Sequence, residues 1–372
     1  MLSPDNLPEQ GDEARLGYAL AAAGETIVAG APYRDVDGTT NAGAAQVFER
    51  APDGSWQSAA TWTADTPVEE GQFASELAAT ESTVFLTIEA HGDEGSAAVA
   101  VFERGDDGWR RSQTIAPTPA VQGAQFGSFL AVTPDGALLV GSPPGDDGAN
   151  AGRVEIFRAE DGQWTKAETI EPPADLSSSA RFGYEAVVVG DALFVSADQA
   201  SVDGRDASGA VLRYRRADDG WRHAGRLVPE APAKGMWFGH RVDGADGTLA
   251  VAAPHDGEVA SNAGAMFVFE RADGSWTQRA KLTDEQERAD ANFGHDIAMR
   301  GNRLMVGMMG QKEVVVFGGD DGSWEQVDTI TASDAEPSSW FGFRLTVLPG
   351  SPVVAAEPRA EGGGRLRIYG IH

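Results

Sequence analysis

The chain contains no cysteine, so disulfides, thiolate metal sites and cysteine nucleophiles are excluded. No apolar run approaches the length of a membrane span. The opening MLSPDNLPEQGDE has neither a basic stretch nor an apolar one, and it predicts no signal peptide. Basic residues are scarce, with 29 against 57 acidic ones and a net charge of −28. Such a surface repels phosphate backbones and anionic lipid, so neither nucleic acid nor membrane insertion is expected. Phosphate-binding loops, nucleophile elbows and metal signatures are missing as well, and no cofactor is expected.

What is present is glycine, 46 of 372 residues, set between short apolar segments. That pattern favours many short strands joined by tight turns, and no helical period competes with it. One unit recurs seven times, aligned on Leu16-Gly17, Phe73-Ala74, Phe126-Gly127, Phe182-Gly183, Phe238-Gly239, Phe293-Gly294 and Phe341-Gly342. Each unit reads as four strands. The first follows Phe-Gly, and the second is of the type TIVAGAP from Thr26 or ALLVGSP from Ala137. The third resembles AGAMFVFER from Ala263, and the fourth starts at a Trp, as in WTQRAKL from Trp276. Asp-Gly before that Trp supplies the positive φ of a hairpin turn, and the Trp is expected to cover the outer strand. The Phe is expected to pack between sheets, with its Gly permitting close approach.

Seven four-stranded antiparallel units predict an all-β, seven-bladed β-propeller spanning residues 1–372 as one domain, with blades starting near 16, 73, 126, 182, 238, 293 and 341. The last unit supplies only three strands, and the N-terminal stub Met1–Pro4 is expected to lie beside it. The Phe-Gly pairs, together with Gly30-Ala31-Pro32 and its weaker versions Gly141-Ser142-Pro143 and Ala252-Ala253-Pro254, resemble the FG-GAP repeat family, the propeller repeats of integrin α heads and many bacterial envelope proteins. The resemblance implies an extracellular or cell-envelope setting. Integrin-type members carry calcium in an acidic loop between the first two strands. The corresponding turns here (AAGET, TEST, TPDGA, VGDA, DGADGT, RGN and LPGS) lack the six to eight oxygens calcium requires, so no metal is expected there. In the next loop Asp35, Asp37 and Asn41 are expected to cap their own turn.

In a repeat protein the informative residues are those where the copies disagree. The second residue after Phe-Gly, small in the family, is Ala19, Glu76, Phe129, Glu185, Arg241, Asp296 and Arg344. The residue before it is Tyr18, Ser75, Ser128, Tyr184, His240, His295 and Phe343. Both positions surround one mouth of the central channel, because the first strand of each blade is innermost. Glu185, Arg241, Asp296 and Arg344 alternate in sign, which suits either an electroneutral plug or the wall of a ligand site. Glu76 stands between Ala19 and Phe129 without a neighbour of opposite charge, an arrangement that raises a carboxyl pKa. Glu89 and His91, at the end of the same blade's second strand, are expected at the same mouth, with Trp237 and Trp340 as an aromatic rim.

Three readings of function follow. The first is a binding module for a small polar molecule or glycan, in which Arg241 and Arg344 grip an anionic group if Glu185 and Asp296 leave them free. The second is a cofactor-independent lyase, cyclase or isomerase with Glu76, His240, His295, Tyr18 and Tyr184 exchanging protons. The third is an adhesion or scaffold platform built on the outer loops.

Overall fold

The structure, a computed structural model, describes residues 13–88, 97–117, 125–144, 151–286, 288–309, 311–320, 322–350 and 352–370. Among these residues seven antiparallel sheets follow one another along the chain in a ring, six with four strands and the last with three. The innermost strands are Ala19–Ala23, Leu77–Ala79, Phe129–Val132, Ala186–Val189, Val242–Ala245, Phe293–Arg300 and Leu345–Val347. The propeller expected from the repeats is therefore the fold. The N-terminal stub, along with Glu89 and His91, lies outside the described residues.

The apolar core is divided among the seams. Seven clusters of buried side chains each join two adjacent blades, for example Val28, Trp62, Phe73 and Leu86 between blades one and two, or Ile27, Leu16, Val354 and Leu366 between blades one and seven. The Phe of each Phe-Gly, and Leu16 in its place, is buried in these seams. A fully buried Phe contributes roughly 2–3 kcal/mol. Because the seams supply the apolar burial, the channel is free to hold charge.

Glycine sets how closely blades approach. At five seams the Gly that precedes a third strand has positive φ and faces the Phe-Gly backbone of the next blade. A Cβ there would lie 2.3 Å from Phe73 N at Gly43, 2.1 Å from Phe182 O at Gly152 and Phe238 O at Gly209, and 2.4 Å from Phe293 O at Gly264. The fifth is Gly364, whose Cβ would meet Leu16 O at 2.5 Å, so the ring closes through the same contact as the other seams. Backbone bonds accompany it, from Phe73 N to Ala42 O at 3.0 Å, Phe293 N to Ala263 O at 2.9 Å, and Leu16 N to Gly363 O at 2.7 Å. The Gly of the Gly-Ala-Pro motif has its own reason. Gly30 and Gly307 would place a Cβ 2.0 and 2.2 Å from the Ala74 and Gly342 carbonyls of the next blade. Where that Gly is Thr87 or Ser196, the hydroxyl donates to the Gly127 or Gly239 carbonyl instead.

Among the described residues, two of the Asp-Gly turns between a third and a fourth strand have positive φ at both residues, Asp161 with Gly162 and Asp273 with Gly274, the combination a two-residue hairpin favours. The tryptophans that follow depart from expectation. They pin neighbouring blades and do not simply cover their own outer strand. Trp164 meets Phe85 of blade two edge-on at 4.7 Å, and Trp276 meets Phe194 of blade four at 4.9 Å. An indole at the outer strand is long enough to reach past its own sheet into the seam.

Substituting Gly264 by Ala places a methyl into the Phe293 carbonyl at φ +85. We expect a loss of more than about 3 kcal/mol, read as a lowered denaturation midpoint. Ala74, held at φ +65 where the other repeats use Gly, predicts the reverse. Ala74→Gly should raise the midpoint, by up to about 1 kcal/mol.

Candidate functional site: one mouth of the channel

The residue before Phe-Gly turns the chain into the channel. It adopts left-handed backbone geometry in six units, at Arg15, Gln72, Arg181, Trp237, Asn292 and Trp340. Two residues beyond the pair, the chain is fastened to the end of the second strand. Carbonyls of Glu76, Glu185, Arg241 and Arg344 accept from Thr87, Ser196, Ala252 and Ala356 N at 3.1, 2.8, 2.9 and 2.9 Å. Side chains at this position therefore project toward the axis from a fixed backbone. Together with the residues preceding them they line a cavity of about 410 Å³.

Five of these side chains form an arc of alternating charge. Arg344 Nη2 donates to Glu76 Oε1 at 2.9 Å, and its Nη1 lies 3.9 Å from Asp296 Oδ1. Arg241 Nε donates to Asp296 Oδ1 at 3.1 Å, and its Nη1 lies 3.6 Å from Glu185 Oε1. Glu76 is thus not alone, contrary to the sequence reading. Ala19 of blade one is too short to fill its place, and the arginine of blade seven spans the gap. Glu185, Arg241, Asp296 and Arg344 alternate as expected, yet the cavity remains beside them. The carboxylates also join blades: Glu185 Oε2 accepts from Val242 N and Asp296 Oδ2 from Leu345 N, both at 2.7 Å. Further down the channel, Asp243 Oδ2 accepts from Met299 N at 2.7 Å. Each carboxylate reaches a backbone N–H of the following blade.

Burial raises the pKa of all three acids in the arc. Glu185 is pushed up to about 8, with Arg241 opposing the rise. Glu76 is raised despite Arg344 and Arg241, and Asp296 is raised against the same two guanidiniums. Arg241 stays charged: burial would lower it, but Glu185, Tyr184 and Asp296 outweigh that and hold it well above its ordinary value.

His240 and His295 are both neutral, held well below the ordinary histidine range by burial and then by Arg241. His240 Nδ1 is 3.4 Å from Asp198 Oδ2, and Arg181 Nη1 donates to the same oxygen at 3.1 Å. Asp198 is fully buried, which pushes its carboxyl up to about 7 against the pull of Arg181. Arg181 also lies over the Tyr184 ring at 3.9 Å. Tyr18 packs against Phe343 at 5.2 Å, and burial drives its pKa to about 12, so it keeps its proton.

Of the residues singled out in the sequence, Tyr18, Glu76, Tyr184, Glu185, His240, Arg241, His295, Asp296 and Arg344 meet at the cavity wall. Trp237 and Trp340 sit behind it, Trp237 against His255 at 4.4 Å and Trp340 stacked on Phe343 at 5.3 Å. Arg181 was overlooked. Its signal was its slot, immediately before Phe182-Gly183, which it shares with both tryptophans. In the loop after the second strand of blade one, Asp35 Oδ1 accepts from Asn41 N at 2.9 Å, the expected cap.

Residues 221–269 and 276–323 match the FG-GAP repeat family. Each match runs from the outer strand of one blade through the third strand of the next, and the chain carries these repeats on a seven-bladed propeller. No curated protein sequence matches. Among solved structures, a candidate 6-phosphogluconolactonase from Bacteroides fragilis superposes with a TM-score of 0.59 at 13% identity, covering 85% of this chain and 84% of the other. A second from Bacteroides uniformis gives 0.56 at 13%, covering 85% of each. A structure from a study of two prolyl endopeptidases gives 0.54 at 15%, and 90% of this chain covers only 44% of that one. At these identities the likeness is one of fold. Among the described residues no helix is long and apolar enough to cross a membrane.

Because native Glu185 holds its proton to about 8 while an ordinary glutamate releases it near 4.5, the folded state binds the extra proton. Stability should therefore fall as pH rises through that window. Glu185→Gln should flatten the slope by on the order of 2 kcal/mol, read from denaturation midpoints between pH 5 and 8.

Proposed function

We propose that this mouth binds a small polar molecule, of which a neutral sugar is one candidate. One observation carries the reading. Among the described residues, three buried polar atoms of cavity-lining side chains have no hydrogen-bond partner: Arg344 Nη1, His295 Nδ1 and Ser128 Oγ. A buried donor left unpaired costs about 1–3 kcal/mol, and a ligand's hydroxyls would recover it. Tyr18, Tyr184 and Phe343 add apolar faces to the same wall. An anionic ligand suits the site less, because both arginines are already engaged by carboxylates. The name 6-phosphogluconolactonase is for that reason not carried over from the structural neighbours; a phosphorylated substrate would face three acids against two guanidiniums. Thermal-shift screening of neutral mono- and disaccharides, polyols and small amines should find a saturable stabiliser whose effect is lost in Ser128→Val. A screen with no saturable stabiliser, or one unaffected by that change, would defeat the reading.

A second reading, acid–base chemistry at the same mouth, is favoured by the His240–Asp198 contact. Asp198 takes up Nδ1, and among the described residues Nε2 has no hydrogen-bond partner, the arrangement of a general base. Glu185, protonated at neutral pH, would serve as the acid. Glu76, bound to Arg344, is less suited to either role. Any turnover should rise as His240 loses its proton below the ordinary histidine range, fall as Glu185 ionises near 8, and vanish in His240→Gln; a pH profile of kcat/KM checks this.

A further inference from the structure

The charge arc is open at one place. Around the axis it runs Glu185, Arg241, Asp296, Arg344 and, past Ala19, Glu76. It begins and ends on a glutamate, three carboxyls to two guanidiniums. The blade between those glutamates contributes Phe129, preceded by Ser128, and both line the cavity with them. Glu76 uses Oε1 for Arg344, and no donor among the described residues reaches its Oε2. Glu185 spends Oε2 on Val242 N, and its Oε1 lies beyond hydrogen-bond reach of Arg241 at 3.6 Å. Glu76 Oε2 thus has no hydrogen-bond donor among the described residues and Glu185 Oε1 has only the 3.6 Å ion pair with Arg241; they stand on the two blades flanking the one that carries Phe129, whose Ser128 Oγ has no hydrogen-bond partner among the described residues.

We propose that the ligand of this mouth is an organic cation whose ammonium or guanidinium group sits at Phe129 between Glu76 and Glu185. This rests on the reading of the mouth as a ligand site and names its chemical class. The cation supplies the positive charge that the alternation lacks, Glu76 Oε2 and Glu185 Oε1 accept its N–H groups or balance its charge, and Phe129 adds an aromatic contact from the same wall. No metal-ligating cluster occurs among the described residues, and the wall's aromatic content suits an organic ion better than a hydrated one.

The proton balance of binding follows. The empty site neutralises its excess acid by holding a proton on Glu185, which faces Tyr184 on its own blade, His240 and Arg241 on blade five, Asp296 on blade six and Arg344 on blade seven. A bound cation replaces that proton, so binding releases it to solvent and tightens as pH rises toward 8 and beyond.

The test is isothermal titration calorimetry of the full chain with methylguanidinium and choline. Their neutral isosteres methylurea and 3,3-dimethylbutanol are titrated alongside, at pH 6 and 8.5 and in two buffers of different ionisation enthalpy. At least one cation should bind about tenfold or more tightly than its isostere, with a buffer-dependent heat showing proton release. Glu185→Gln and Glu76→Gln keep an acceptor for Val242 N and Arg344, so the fold is retained, and each should weaken the cation by about tenfold or more. Phe129→Leu should weaken it by about five- to tenfold while leaving the pH dependence intact. Equal affinity for cation and isostere, or indifference to both glutamate changes, overturns the proposal. If neutral sugars bind and no cation does, this inference falls and the binding site stands; if nothing binds, both fall.

Discussion

The contact on which the molecule depends is the one between a Gly before a third strand and the Phe-Gly backbone of the following blade. It brings two main chains closer than a Cβ would allow at Gly43, Gly152, Gly209, Gly264 and Gly364. That approach sets the Phe into the seam, and the seam clusters form around it. The same turn fixes the next two side chains at the channel mouth. Seam packing and the lining of the channel mouth are therefore set by one short stretch in each repeat, with the buried ring on one side of the turn and the variable residues on the other.

Moving the apolar core to the seams has an electrostatic result. The channel need not be filled with hydrocarbon, and its wall can carry ionisable groups at modest exposure, 12% for the Arg241 side chain and 9% for Asp296. Isolated charges at that depth would be costly, but each here meets an opposite charge or a backbone N–H of the neighbouring blade. The carboxylates of Glu185, Asp296 and Asp243 reach across to strands that share no ladder with their own. The hub is thus tied by side chains at a radius where the blades' sheets do not join.

The fold was legible because it is periodic. Phe-Gly, Gly-Ala-Pro and Asp-Gly-x-Trp each solve a local problem of backbone approach or turn geometry, and their recurrence gave the blade count. The ring of altered residues was legible for the same reason, since disagreement among copies marks where a local rule was set aside. What the residue order concealed was reach. Glu76 was judged by its neighbours along the ring, Ala19 and Phe129, whereas its partner stands two blades away and depends on how little room Ala19 fills. The Asp198–His240 contact joins the end of one blade's second strand to the next blade's first, a pairing that spacing alone does not give. Arg181 was passed over because it is aligned with Trp237 and Trp340, and only the aromatic members of that column drew notice.

The repeat unit straddles two blades, so inserting or removing one such unit would insert or remove one residue of the hub's charge order. Duplicating the unit that carries Arg241 would set two guanidiniums side by side, and deleting the one that carries Asp296 would do the same to Arg241 and Arg344. The order of charges at the axle thus disfavours both changes, and seven blades keep each guanidinium between carboxylates.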